Sequence, residues 1–395
     1  MTLIVPPTRY PCPCCGRAGL RGGSRLARQR RGGIVSEKVW RVPSRRRAVA
    51  AVLIMALVTA LAAACGDPAE TPPGPAAPTV TVLAYKGWTI PPELQDAFQR
   101  QTGYELDVEH IGANAASLTR HLTATAGEPT GDVAVDLPDR HAKRALAADV
   151  FAPYTSPEAN QGQQRFTIDD QQRLSAVDVA DVCVNVDKSW FASRDRSQPK
   201  TLADLARPEY AGLLALPDPA RSETGFAFLQ ATIARYGEAG WRQYWTQLRN
   251  HGAHLVSSLD VAYKKRFSGA ASSDSSGSLP LAVAPASSPA KALKDGTAPV
   301  AVLPDTCFRT VRYAGVLADT EYPERAHRAI DFLLSQQFQA TIAPTYGTYP
   351  TRERVSLPDD WRSVAPMRTE PMTLPAADVT TNERRWLREW RAVWH

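Results

Sequence analysis

Cysteine and histidine offer the widest chemistry in this sequence, and their spacing limits what they can do. Cys12, Cys14 and Cys15 stand in Pro11-Cys12-Pro13-Cys14-Cys15-Gly16. A four-ligand zinc site needs a second pair at a suitable distance, and no second cluster follows. The histidines His110, His121, His141, His251, His254, His327 and His395 are scattered. His251 and His254 are close, but Gly252 between them ends a helix rather than continuing one. The chain contains no G-x-S-x-G, H-E-x-x-H, Walker A or G-x-G-x-x-G motif. No catalytic residue, metal site or cofactor is expected, and the protein reads as a non-enzyme.

The remaining cysteines direct attention to export. The 395 residues carry 46 Lys+Arg against 40 Asp+Glu, a formal net charge of +6. Residues 1–47 hold 11 Arg and one Lys against the single acid Glu37, so this stretch carries +11 and residues 48–395 carry −5. A mildly acidic body gives no electrostatic footprint for nucleic acid. Arg45-Arg46-Arg47 precedes the uncharged run Ala48 to Ala64, and Cys65 follows Ala62-Ala63-Ala64. A basic region, an apolar region and small residues before a break make a secretory signal. The small residues before Cys65 resemble a bacterial lipobox, in which the cysteine is acylated and becomes the mature N-terminus. A single membrane-spanning helix is the competing reading, and 17 residues is at its short limit. Residues 1–64 are therefore assigned as a leader with an over-extended start.

Residues 66–78 contain five prolines. Such a segment is an extended spacer reaching roughly 40 Å, at about 3.1 Å per residue. With Cys65 it forms a tether, 65–78, holding a folded domain away from the outer face of the cell membrane. Cys183 and Cys307 then remain as an even pair outside the cytoplasm, which favours a disulfide over two separate buried thiols.

Elements that could carry a site follow from the hydrophobic pattern. Strands are predicted at Thr79–Tyr85, Leu106–Ile111 and Asp132–Asp136, alternating with helices at Pro91–Gln101, Ala115–Ala126 and Asp139–Ala148. That alternation implies parallel βαβ units and an α/β fold. Short strands surround both cysteines, with another at Leu281–Ala284. Helices are predicted at Thr201–Leu205, Gly225–Tyr236, Ala239–His251 and Pro323–Ala343, and near Asn382–Val393. Ser268–Leu279 reads as a surface loop. Trp386, Trp390 and Trp394 make an apolar stripe suited to core packing.

From Thr79 onward the chain resembles the extracellular solute-binding proteins of ABC importers, most of all their thiamine-binding branch. The resemblance rests on ordered segments. They include Thr81-Val82-Leu83-Ala84-Tyr85, Gly131-Asp132-Val133 leading to Asp136, and Asp218-Pro219-Ala220-Arg221-Ser222-Glu223-Thr224-Gly225. Later come Ala262-Tyr263, Ala286-Ser287-Ser288-Pro289, Tyr349-Pro350 and Arg385-Trp386-Leu387-Arg388-Glu389-Trp390. It implies a two-lobed periplasmic-binding-protein-like (type II) fold with two crossover hinge strands. Lobe 1 would be 79–178 plus 309–395 and lobe 2 would be 179–308. The Cys183 and Cys307 segments would be the two crossovers, so their disulfide would staple the hinge.

The resemblance also implies an interlobe cleft. Tyr85, Trp88, Tyr263 and Tyr346 would be stacking surfaces, and Ser222, Thr224, Ser287 and Ser288 polar groups. Asp136 is the retained acid, while Lys86 stands where the branch tends to have an acid. An ammonium 4 Å from a thiamine cation would cost about 4 kcal/mol at an effective dielectric of 20. Three readings stay open: thiamine or a related solute, a different anionic or neutral solute in a remodelled pocket, and a ligand-free sensory or scaffold lipoprotein. For the first two, the implied partners are an ABC permease and its ATPase, with the binding protein acting as a monomer.

Overall fold

The computed structural model describes residues 77–270 and 277–395. The leader, the acylation expected at Cys65, the tether up to residue 76 and the middle of the Ser268–Leu279 loop lie outside the described residues. The described residues fall within one compact unit, Pro75–His395.

The first half follows the predicted alternation: β1 (Thr79–Ala84), α1 (Pro92–Thr102), β2 (Glu105–His110), α2 (Ala115–Ala124), β3 (Val133–Pro138) and α3 (Asp139–Leu146). A proline opens α1, and Gly103 closes it in the left-handed region at φ 76°. Asn114 caps α2 by accepting from the Ser117 amide at 3.0 Å. The chain continues through β4 (Ser175–Asp187), α4 (Lys188–Ala192), α5 (Leu202–Leu205), β5 (Leu214–Pro217), α6 (Glu223–Asn250), β6 (His254–Val256) and β7 (Leu281–Pro285). Then come α7 (Ser288–Lys291), β8 (Val300–Val316), α8 (Pro323–Leu334), α9 (Gln336–Thr341), β9 (Tyr349–Pro350), α10 (Asp359–Val364) and α11 (Ala376–Trp394).

One helix expectation is met and another is refined. The helix α6 breaks at Gly237, whose φ of 65° and ψ of 179° are not helical. It therefore consists of two helices, as the sequence pattern implies. The single helix expected over Pro323–Ala343 is instead interrupted at Ser335. That residue is extended (φ −64°, ψ 154°) and caps α9 by accepting from the Phe338 amide at 3.3 Å. A serine that competes for backbone hydrogen bonds here outweighs the continuous apolar stripe.

The sheet runs β2-β1-β3-β8-β4-β7-β5-β6, with β9 on β4. β1 pairs in parallel with β2 and β3, and β5 in parallel with β6 and β7. The long strands β4 and β8 are antiparallel to each other and join the two parallel groups. They are the two crossover strands, and the result is a two-lobed type II arrangement. Their register breaks between Val182 and Val184, where β8 bulges around Pro304–Cys307. Cys183 and Cys307 are joined by a disulfide at this point, with Cα atoms 4.1 Å apart. Beside them, the Thr306 hydroxyl accepts from the Val184 amide at 2.8 Å and donates to the Leu303 carbonyl at 2.7 Å. These bonds satisfy backbone groups that the bulge leaves without a ladder partner.

The tryptophan stripe of α11 is core, as its spacing suggests. Trp386 and Trp390 are buried against Trp241, Trp245 and Phe228 of α6. The opposite side of α11 reaches α3, where Arg140 ion-pairs with Glu383 and Arg144 does so at 2.8 Å. The C-terminal helix therefore touches elements on both sides of the crossover strands.

Candidate functional site

The carboxyl ends of β1, β3 and β7 converge on a cavity of about 350 Å³. Strand ends in open α/β sheets are the usual place for ligands. Tyr85 follows β1, Pro138 ends β3, and Pro285 ends β7. Glu223 and Thr224 open α6, and Tyr346, Gly347 and Thr348 close the cavity from the segment before β9. Gly347 sits at φ 72°. A Cβ there would come within 2.5 Å of Lys291 Nζ, so glycine lets this segment approach α7.

Behind the aromatic wall lies a buried charge cluster. Arg312 of β8 ion-pairs with Asp136 at 2.8 Å and with Asp178 at 2.7 Å. Asp136 adopts φ 59°, within the register shift between Ala134 and Leu137 of β3. Aspartate tolerates this left-handed conformation better than most residues. Burial works against the Arg312 charge, but Asp136 and Asp178 outweigh it and raise the guanidinium pKa. Burial raises the Asp178 carboxyl despite Arg312. The Tyr85 phenol is likewise raised, by burial first and then by Asp136.

A second cluster crosses the cavity. Arg140 of α3 donates through Nε to Glu223 of α6 at 3.1 Å, and its centre lies 4.3 Å over the Phe226 ring. His141 Nε2 is 3.2 Å from the same carboxylate. Burial pushes the Glu223 pKa up, yet Arg140 and His141 more than offset it and hold the group at about 2. Two further charges line the wall without an ion pair among the described residues. Asp139 accepts from the Val311 amide at 3.1 Å, and burial raises its pKa to about 7. The Lys291 pKa is lowered, by burial and then by Lys264 and Arg312.

Of the residues named from sequence, Tyr85, Thr224 and Tyr346 line the cavity. Asp136 stands one layer behind through Arg312. Trp88 is buried and stacks on Tyr346 with ring centroids 6.1 Å apart. The Ser287 hydroxyl donates to the Gly347 carbonyl at 2.6 Å, fixing the wall from behind. Ser222 caps α6, and Ser288 donates to the Pro285 carbonyl at 2.8 Å. Tyr263 packs on Phe267, with centroids 5.2 Å apart, in a separate apolar cluster. Lys86 is exposed and does not line the cavity, and Asp136 has Arg312 as its partner.

Sequence reading missed Arg312, Asp178, Arg140, Glu223, Asp139 and Lys291. A signal was present for the first two. Asp178 and Asp181 in β4 face Arg312 and Arg309 in β8 as direct register partners. Charges repeating inside otherwise apolar strands require partners.

The family model for bacterial extracellular solute-binding proteins matches residues 128–369. The chain belongs to this family. The solute-binding protein is thus the non-enzymatic, ligand-capturing component of an ABC transporter, and such proteins deliver small molecules to a membrane permease. Among curated relatives, it is 22% identical over 336 residues to a thiamine-binding periplasmic protein of Brucella suis biovar 1 (strain 1330), covering 82% of this chain and 94% of that one. A thiamine-binding periplasmic protein of Brucella melitensis biotype 1 is 21% identical over 316 residues, covering 78% of this chain and 88% of the relative.

Solved structures agree on the fold. A periplasmic thiamin binding protein superposes with a TM-score of 0.66 at 21% identity, covering 82% of this chain and 99% of that one. Iron-bound HitA from Pseudomonas aeruginosa gives a TM-score of 0.63 at 18% identity, covering 80% and 99%. The periplasmic binding protein AfuA from Actinobacillus pleuropneumoniae, with fructose-6-phosphate bound, gives 0.62 at 15%, covering 80% and 98%. Among the described residues of the solute-binding protein, no helix is long and apolar enough to cross a membrane.

Proposed function

We propose that this solute-binding protein captures thiamine, or a closely related small aromatic cation, in the cleft between its lobes. The observation that carries the reading is a cavity wall with Tyr85 and Tyr346 whose two arginines are already neutralised by carboxylates. Glu223 and Glu383 hold Arg140, and Asp136 and Asp178 hold Arg312, so both arginines on the wall are committed to carboxylates, while Asp139 adds an acid with no ion pair among the described residues. Tyr85 and Tyr346 supply faces for an aromatic ring, and a cation gains from such faces and from an acid such as Asp139 beside them. The N-terminus of α6 would otherwise attract an anion; here it faces the protein's own Glu223. Lys86, exposed and off the wall, brings no opposing charge into the cavity. The thiamine-binding relatives support the same ligand class.

In this reading the ligand contacts are Tyr85, Thr224 and Tyr346, while Asp136, Trp88 and Ser287 set the wall. The lobes are 79–178 with most of 309–395, and 179–308, with α11 packed across to the second. Cys65 carries a lipid that holds the monomer at the outer face of the membrane, and the ligand-loaded form docks on the permease, which its ATPase drives. Capture closes the lobes about β4 and β8.

Lys291 favours a second reading. It lines the cavity and has no ion-pair partner among the described residues, so it suits a solute with an anionic group. Thermal shift of the full chain with thiamine, thiamine phosphates and a panel of small anions separates the two. Stabilisation by thiamine supports the first reading. Stabilisation by anions alone, lost in Lys291→Ala, supports the second, and no shift with any compound contradicts both.

A further inference from the structure

The acids around the cleft are matched to guanidinium groups with one exception. Glu223 and Glu383 pair with Arg140, and Asp136 and Asp178 pair with Arg312. Asp139 makes no ion pair among the described residues. It lines the cleft cavity of about 350 Å³ and also an adjoining cavity of about 640 Å³, and Gln230 is likewise shared by both. Its carboxylate accepts from the Val311 amide of β8 at 3.1 Å and lies beside the Tyr313 phenol. A carboxyl group left uncompensated at the junction of two cavities is placed to meet a charge that arrives from outside.

We propose that Asp139 is the counter-ion of the bound ligand, reading its single positive charge and releasing a proton to water as the ligand enters. The proposal rests on the aromatic-cation reading of the cleft and adds the residue and the proton coupling. Only the O–H bond of the carboxylic acid breaks: its electron pair stays on the carboxylate, the proton bonds to a water molecule, and the carboxylate faces the ligand cation.

The surrounding charges leave this role open. Arg140 on the same helix is held by Glu223 and Glu383. Glu223 of α6 opposes a second negative charge at Asp139. From β8, Arg309 is committed to Asp181 at 2.8 Å, and Arg312 to its two aspartates. Across the second cavity Arg165 reaches Glu353 at 3.5 Å, and Glu370 adds another acid. Lys291 stands on the cleft wall but makes no ion pair with Asp139. Burial raises the Asp139 pKa to about 7, with the Val311 amide and the Tyr313 phenol pulling it back. At neutral pH this carboxyl is therefore part-protonated, and a cation beside it favours the ionised form.

The sign follows from linkage. A site that must lose a proton to bind gains affinity as pH rises. For a group at about 7 the gain from pH 6 to pH 8 is about tenfold.

The test is calorimetric titration of the full chain with thiamine at pH 6, 7 and 8, in two buffers of different protonation enthalpy. The wild-type protein is expected to bind about tenfold more tightly at pH 8 than at pH 6 and to release up to one proton. Asp139→Asn is expected to bind at least about tenfold more weakly with a flat pH profile, and Asp139→Glu to restore the pH dependence. Wild-type binding with no proton release overturns the proposal without any variant. An Asp139→Asn protein with wild-type affinity and pH profile does so too, and both results leave the thiamine reading standing. A wild-type protein that takes up no thiamine at any of the three pH values overturns that reading and this proposal with it.

Discussion

Arg140 and Glu223 meet across the cleft, one from the start of α3 and the other from the first turn of α6, and Glu383 of α11 holds the same guanidinium from a third direction. The two helices follow strands on opposite sides of the crossover pair, so the contact ties the lobes together at the cavity wall. Glu223→Gln removes the charge and leaves Arg140 its bond to Glu383. The ligand-free variant is expected to show a larger radius of gyration by small-angle X-ray scattering than the wild type. An unchanged radius would show that this pair does not hold the lobes. The pair is also expected to persist in mild acid. Because the folded-state pKa of Glu223 is lowered from 4.5 to about 2, its contribution is present above pH 4.5 and is lost as pH falls toward 2. Scattering through that window checks the sign.

The disulfide joins the two crossover strands where their register breaks. Cys183 and Cys307 are 124 residues apart in sequence, so the bridge closes a long loop in the unfolded chain. The double variant Cys183→Ala with Cys307→Ala is expected to fold and to lose about 2–4 kcal/mol in denaturant unfolding. A loss below about 1 kcal/mol would show that the bulge and its Thr306 hydrogen bonds hold the hinge without the bridge.

Trp390 is fully buried, and its ring meets Trp245 edge-on with centroids 5.8 Å apart. Trp390→Ala is expected to cost about 3–5 kcal/mol by equilibrium unfolding. A loss under about 1 kcal/mol would mean that α11 is not an integral part of the core.

Lys86 departs from the thiamine-binding pattern, but it lies outside the cavity wall. Lys86→Ala is expected to change thiamine affinity by less than about threefold, since an exposed charge is screened by solvent and salt. A tenfold gain on removing it would place its ammonium near the ligand.

The sequence carried the fold further than the site. Periodicity located β1 to α3 to within a few residues, because each element there is an uninterrupted run with a clear stop such as Gly103. The full lengths of β4 and β8 were not legible. Each serves both lobes, and Asp178, Asp181, Arg309 and Arg312 interrupt the apolar pattern along them. Those same interruptions form the buried pairs behind the cavity, visible only once the register sets them opposite each other. Tyr85 and Tyr346, which both line the cavity, were legible as candidate aromatics. Asp139 and Glu223 were not, since each reads in sequence as an ordinary acid in the first turn of a helix.

Under the proposed function, an aromatic cation binds the cleft on the wall that holds Tyr85 and Tyr346. The most direct measurement is equilibrium titration of thiamine into the full chain and into its Tyr346→Ala variant. A single site of micromolar affinity or tighter in the wild type, weakened at least about tenfold in the variant, is the expected result. The absence of binding at millimolar thiamine, or equal affinity in both proteins, would contradict it.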